Sequence, residues 1–168
     1  MSKKDVMHLI DAGLFLNSPY PSVLREARDV DIILSFDFSM DDPFGTLKEA
    51  SDYAAANKRP FPKIDFAKLH PDHPDSFYVF EEEGKPTIIH IPLFNIDNCE
   101  NESTITEESK EYTTFQMIYR DKNKIDHLAD LAAMNVKINR DGILEEIRKT
   151  SERRSSAICQ FVQDMRSC

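Results

Sequence analysis

Tryptophan is missing from the 168 residues, glycine occurs only four times and cysteine three. The glycines are Gly13, Gly45, Gly84 and Gly142, and none has a serine two residues on. The chain therefore holds no G-x-S-x-G turn of the kind that raises a serine nucleophile above a sheet. It also lacks a glycine-rich stretch that could aim backbone amides at an oxyanion. Cys99, Cys159 and Cys168 are odd in number, far apart and free of any C-x-x-C spacing. That pattern argues against a disulfide framework and favours a compartment where thiols stay reduced. Cys168 lacks the three following residues of a prenylation box. No apolar run is long enough to cross a bilayer, and no segment reads as a secretory signal.

Basic residues are also scarce. Twenty-one Lys and Arg against 30 Asp and Glu leave a net charge of −9. Such a surface disfavours nucleic acid, whose phosphates need cations, and simple attraction to anionic lipid. It does not exclude an acyl-chain pocket, which depends on apolar walls. Hydrophobic residues make up 40%, with eleven Phe and five Tyr, enough for a core. The length fits one domain or part of a larger one. A short polar start, MSKKDV, runs straight into apolar residues, so the chain is expected to be the C-terminal part of something longer.

Val6 to Ile10 reads as a short strand. Val30 to Phe38, VDIILSFDF, is the clearest strand, with the solid apolar centre of one covered on both faces. Asp42-Pro43 reads as a helix start, the helix running to Asn57 with Phe44, Leu47, Ala50, Tyr53 and Ala54 on one face. Ser76 to Glu81 and Thr87 to Phe94 form a hairpin around EEGKP. Asp97 to Tyr112 carries no period and is expected to be an exposed loop. Thr113 to Tyr119 is a further strand. Two helices close the chain, Asn123 to Met134 and a second from Asp141 towards Val162. Strands mixed with helices give an α/β layered fold.

Several residues invite a chemical role. Asp11 stands at the end of the apolar run HLI, followed by Ala12 and Gly13. A carboxylate there either projects into a cleft, with small neighbours leaving room for another group, or bonds its own backbone in a turn. Asp37, at the end of the long strand, reads better as a turn cap than as part of an active-site rim. His70, Asp72, His73 and Asp75 have zinc-like spacing, but interleaved prolines favour a solvated loop. His90 reads as a strand histidine with a local partner. Cys99 and Cys159 read as ordinary thiols. The acidic run Asp97, Glu100, Glu102, Glu107, Glu108 and Glu111 lacks the glycine turn and ligand spacing of a calcium loop. Arg153, Arg154 and Arg166 are too sparse for a nucleic-acid patch.

LIDAGLFLNSPYP, with VDIILSFDFS from Val30, resembles the C-terminal half of the catalytic domain of group IV cytosolic phospholipases A2. DDPFGTLKEASDY from Asp41, RPFPKID from Arg59 and TIIHIPLFNID from Thr87 extend the likeness in order. Within the family it is to the gamma (group IVC) type, which has no C2 domain. D-A-G alone is weak; the ordered series is specific. The resemblance implies a patatin-like α/β fold, here an incomplete layered sheet with helices. Residues 1–150 would be the C-terminal part of the catalytic domain and 151–168 a helical or poorly ordered tail. It implies that Asp11 is the catalytic Asp of a Ser–Asp dyad. A serine hydroxyl is a poor nucleophile until a base takes its proton, and a carboxylate would do so without an intervening histidine.

The substrate implied is a glycerophospholipid, hydrolysed at an acyl ester, with no cofactor, no metal and no nucleic acid. The complete enzyme would meet a membrane surface from the cytoplasm and be calcium-independent. The family's serine, glycine-rich oxyanion segment and phosphate-contacting arginine all lie upstream of the D-A-G motif. The chain is thus expected to carry half a dyad, to need the missing N-terminal half of the domain, and to be inactive alone. The alternative is a non-catalytic lipid-binding or protein-interaction module.

Overall fold

The computed structural model describes residues 11, 13, 15–39, 42–113 and 121–166. The isoleucine-rich segments form strands: β1 (Ile32–Asp37), β2 (Tyr78–Phe80) and β3 (Thr87–Pro92) make one sheet in the order β1-β3-β2. β1 lies parallel to β3, with Ile33 opposite Ile88, Ser35 opposite His90 and Asp37 opposite Pro92. β2 runs antiparallel to β3, as the hairpin reading required. Gly84, with φ of 74°, takes the left-handed conformation in the β2–β3 turn that a residue with a side chain resists. The strand expected at Val6–Ile10 falls outside the described residues, as does the one expected at Thr113–Tyr119 apart from Thr113, which is not in a strand.

Layers of helix cover the sheet on both faces. On one, α1 (Tyr20–Val23) and α2 (Gly45–Ala56) bury Leu16, Tyr20, Leu24, Leu47, Ala50, Ala54 and Phe61 against Ile88. α2 starts two residues later than the reading with Asp42 as cap and Pro43 as first helical residue. Asp42 Oδ1 instead accepts from the Phe44 amide at 2.8 Å, forming the turn that leads into the helix. On the other face Ile143 of the closing helix packs on Ile89 and Ile91.

Three expectations need correction. β1 is not covered on both faces: Leu34 and Phe36 are 41% and 36% exposed, and Phe38 just beyond is 60% exposed. The physical reason is position. Among the described residues β1 is the edge of the sheet, the closing helix packs over β3, and only β3 is buried along its whole length. The acidic stretch is not a loop throughout: α3 (Glu102–Glu111) forms within it. Asn101 starts it, its side chain accepting from the Thr104 amide at 3.0 Å, and Ile105 is its one buried residue. One inward residue gives no period to read, yet glutamate is a good helix former and the cap sets the frame. Finally, the two closing helices are one, α4 (Lys122–Arg166), 45 residues long.

The expected break held Asn135 and Asn139, poor helix formers that sit one turn apart and point inward. Asn135 gives its amide hydrogens to the carbonyls of Pro92 (3.1 Å) and Leu93 (2.9 Å). Its Oδ1 accepts from Asn95 (2.8 Å) and Asn98 (3.0 Å). Asn139 Nδ2 donates to Ser76 O and Asn135 O, both at 3.0 Å. Every hydrogen-bonding position of the Asn135 side chain is filled, so burial costs it little. Gly142 then lets Phe77 lie against the helix, since a Cβ there would stand 3.2 Å from the ring.

Candidate active site

The segment from 15 to 24 is anchored to the core and its N-terminal lip is not. Leu16 and Tyr20 are buried, and Tyr20 packs edge-on to Phe61 with ring centroids 5.8 Å apart. Prolines 19 and 21 fix the path around Tyr20, Pro19 immediately preceding α1. Ahead of this anchor Asp11, Gly13, Phe15 and Asn17 are exposed. Asp11 Oδ1 accepts from the Gly13 amide at 2.9 Å, closing a two-residue turn. A Cβ built on Gly13 would stand 3.2 Å from that oxygen and 3.4 Å from Asn17 Oδ1. The turn that sequence offered as the plain alternative is therefore formed, and Asp11 is exposed within it.

Behind the lip, the inward face of β1 and β3 carries a polar line that local sequence does not reveal. Ser35 and Asp37 of β1 are buried, opposite His90 and Pro92 of β3. Asp37 Oδ1 accepts from the Ser39 amide at 2.7 Å, the capping role expected, while its buried Oδ2 has no hydrogen-bond partner among the described residues. His90 Nε2 lies 2.8 Å from the Pro43 carbonyl, which only accepts, so the ring proton is on Nε2. Nδ1 is left bare and unpartnered. Burial pulls the His90 pKa below its ordinary value against the opposing charge of Asp37. Burial also pushes the Tyr20 hydroxyl up to about 12, with Ser35 opposing and the Asp37 charge adding to the rise. Among the described residues no hydrogen bond joins Asp11 to this line. Only the strand register puts Ser35 beside His90, and register is not written in either segment alone.

The remaining candidates are held by other contacts. His70 and His73 stack at 5.0 Å on an exposed turn, with His73 Nδ1 3.4 Å from Glu102 Oε1. Among the described residues no group of three or more His, Cys, Asp and Glu is placed to hold a metal ion. Glu108 meets His127 at 2.9 Å and Glu111 pairs with Lys124, so the acidic stretch faces the start of α4. Cys99 is buried, which raises its pKa, and Cys159 is exposed. Arg153 bonds Thr87 Oγ1 at 2.7 Å; Arg154 bonds Asp29 at 2.7 Å and pairs with Asp31. These arginines line a cleft of about 590 Å3, with Leu24, Pro60, Ile158 and Phe161 among its apolar walls. Among the described residues no helix is long and apolar enough to cross a membrane.

An exposed Asp11–Gly13 turn ahead of a helix-covered, partly parallel sheet fits a patatin-like α/β architecture. Solved structures agree. Human GIVD cytosolic phospholipase A2 in complex with methyl gamma-linolenyl fluorophosphonate inhibitor and terbium chloride superposes with a TM-score of 0.69 at 26% identity. That match covers 86% of this chain and 24% of the other. A second structure of the human GIVD enzyme, at 22% identity and a TM-score of 0.63, shares the fold.

In sequence, human cytosolic phospholipase A2 gamma is 41% identical over 152 residues, 88% of this chain and 27% of the relative. The mouse gamma enzyme is 38% identical over 156 residues, and mouse cytosolic phospholipase A2 delta 30% over 167. No protein-family model matches. By sequence and by fold the chain belongs to the cytosolic phospholipase A2 family. It spans about a quarter of the length of the relatives it matches.

Proposed function

We propose that this chain supplies the Asp half of a Ser–Asp dyad that hydrolyses acyl esters of glycerophospholipids. The serine and the oxyanion donors come from polypeptide outside the chain. The serine hydroxyl attacks the ester carbonyl while Asp11 takes its proton. Collapse of the tetrahedral species expels the lysophospholipid oxygen, which recovers that proton from Asp11. Water then attacks the acyl-serine, Asp11 again accepting a proton, and the fatty acid leaves as the serine is reprotonated. Residues 1–150 serve as part of the catalytic domain and 151–168 as its tail, Arg153 and Arg154 bonding back to Thr87 and Asp29.

The observation that carries this reading is the 41% identity to human cytosolic phospholipase A2 gamma over 88% of the chain, with Asp11 exposed in its turn ahead of residues anchored in the core. Phe15, exposed beside it, gives the lip an apolar face suited to the missing polypeptide or to acyl chains. By itself the chain hydrolyses no phospholipid, because it has no nucleophile elbow. The test is Asp11→Asn in the full-length polypeptide, read by release of fatty acid from phospholipid vesicles. Hydrolysis is expected to vanish with the circular dichroism spectrum unchanged; undiminished release would end the assignment.

A second reading, a non-catalytic interaction module, draws on one observation. Among the described residues the outer edge of β1 is unpaired, and Leu34, Phe36 and Phe38 are exposed. Mixing the chain with a serine-bearing segment separates the two. Recovered hydrolysis favours the dyad, and binding without hydrolysis favours the module.

A further inference from the structure

The Asp11 turn engages one carboxylate oxygen and spares the other. Oδ1 accepts from the Gly13 amide at 2.9 Å, and among the described residues that amide is the carboxylate's one hydrogen-bond donor. The α-carbon of the same glycine sits hard against the group. A Cβ there would stand 3.2 Å from Oδ1, 3.8 Å from Cγ and, on its other side, 3.4 Å from Asn17 Oδ1. A methyl group at position 13 therefore presses on Asp11 Oδ1, which must give by a few tenths of an ångström, and only touches Asn17.

Resting on the proton-acceptor role proposed for Asp11, we propose that Gly13 is its positioning residue. The amide fixes Oδ1, and the bare α-carbon leaves the carboxyl plane where Oδ2 is the oxygen offered to the serine hydroxyl. Gly13 itself touches neither serine nor ester. The turn-forming and proton-accepting readings of Asp11 then describe two oxygens of one group rather than rival roles.

The test uses the full-length polypeptide. Gly13→Ala, which displaces Oδ1 by a few tenths of an ångström, is expected to lower kcat about tenfold, with KM unchanged. A backbone ester at position 13, made by incorporating glycolic acid, removes the amide donor without adding an atom. It is expected to lower kcat about tenfold, again with KM unchanged. Wild-type kcat in Gly13→Ala, where Asp11→Asn is inactive, overturns the positioning role and leaves the role of Asp11 standing. A change confined to KM overturns it too, since Gly13 would then act in substrate binding. Activity retained in Asp11→Asn overturns both. Should Gly13→Ala fail to fold, the ester variant decides: unchanged kcat in it overturns the proposal.

Discussion

Replacing Asn135 by alanine removes four hydrogen bonds at once. Nδ2 loses the Pro92 and Leu93 carbonyls, and the amides of Asn95 and Asn98 lose Oδ1. Neither carbonyl is orphaned, because Asn95 Nδ2 also donates to Pro92 O at 2.9 Å and Asn98 Nδ2 to Leu93 O at 2.6 Å. One amide hydrogen each of Asn95 and Asn98 does lose its acceptor, so the cost is at least the net value of about 1 kcal/mol per bond, about 4 kcal/mol in all. Against a typical stability of about 5–15 kcal/mol, that is a large share. Urea unfolding followed by far-ultraviolet circular dichroism reads it. With a slope of about 2 kcal/mol per molar, the midpoint falls by about 2 M. Arg140→Ala, on the same helix but exposed, is the control and shifts stability by no more than about 0.5 kcal/mol. A midpoint shift for Asn135→Ala no larger than the control would refute the view that this network pins α4 to the end of β3.

Two further outcomes are expected. His90 is held neutral, its folded pKa below the ordinary value, so below about pH 6.5 the unfolded chain binds the proton that the folded chain refuses. Stability is then full above that pH and declines as the solution is acidified. Urea midpoints measured across pH 4.5 to 7.5 show the slope, and His90→Gln flattens it. Phe36→Ser, on the open face of β1, leaves the urea midpoint nearly unchanged yet lowers self-association seen by light scattering; equal scattering in both proteins argues against that face as the sticky one.

The strands and α2 were legible because their signals are local. IILSF and TIIHI are β-branched runs, and Leu47, Ala50 and Ala54 repeat at helical spacing. Local sequence could not say which strand lies at the edge. Both runs are apolar, and only topology leaves Leu34 and Phe36 open while burying Ile89 and Ile91. Asn135 and Asn139 read as a break because their partners, Pro92, Leu93 and Ser76, lie far away in the chain. α3 had one signal that went unused: Asn101 ahead of a glutamate-rich stretch is a cap followed by good helix formers. Asp11 was visible through the D-A-G motif. The hydrogen bond that ties it to Gly13 agrees with both readings of that motif, so sequence could not choose between them. The pairing of Ser35 with His90 left no trace in the sequence, being a product of register.

α4 is a rod of about 68 Å at 1.5 Å per residue, and it is fastened by two different kinds of joint. Around Asn135 and Asn139 the fastening is neutral and dry. Towards the far end it is ionic and wet, Arg153 with Glu81 and Arg154 with Asp29 and Asp31, all partly open to solvent. Added salt weakens the second kind and leaves the first alone. Ionic strength thus acts as a selective solvent for one end of the rod, loosening its grip on the start of the sheet while the hub at mid-helix stays locked.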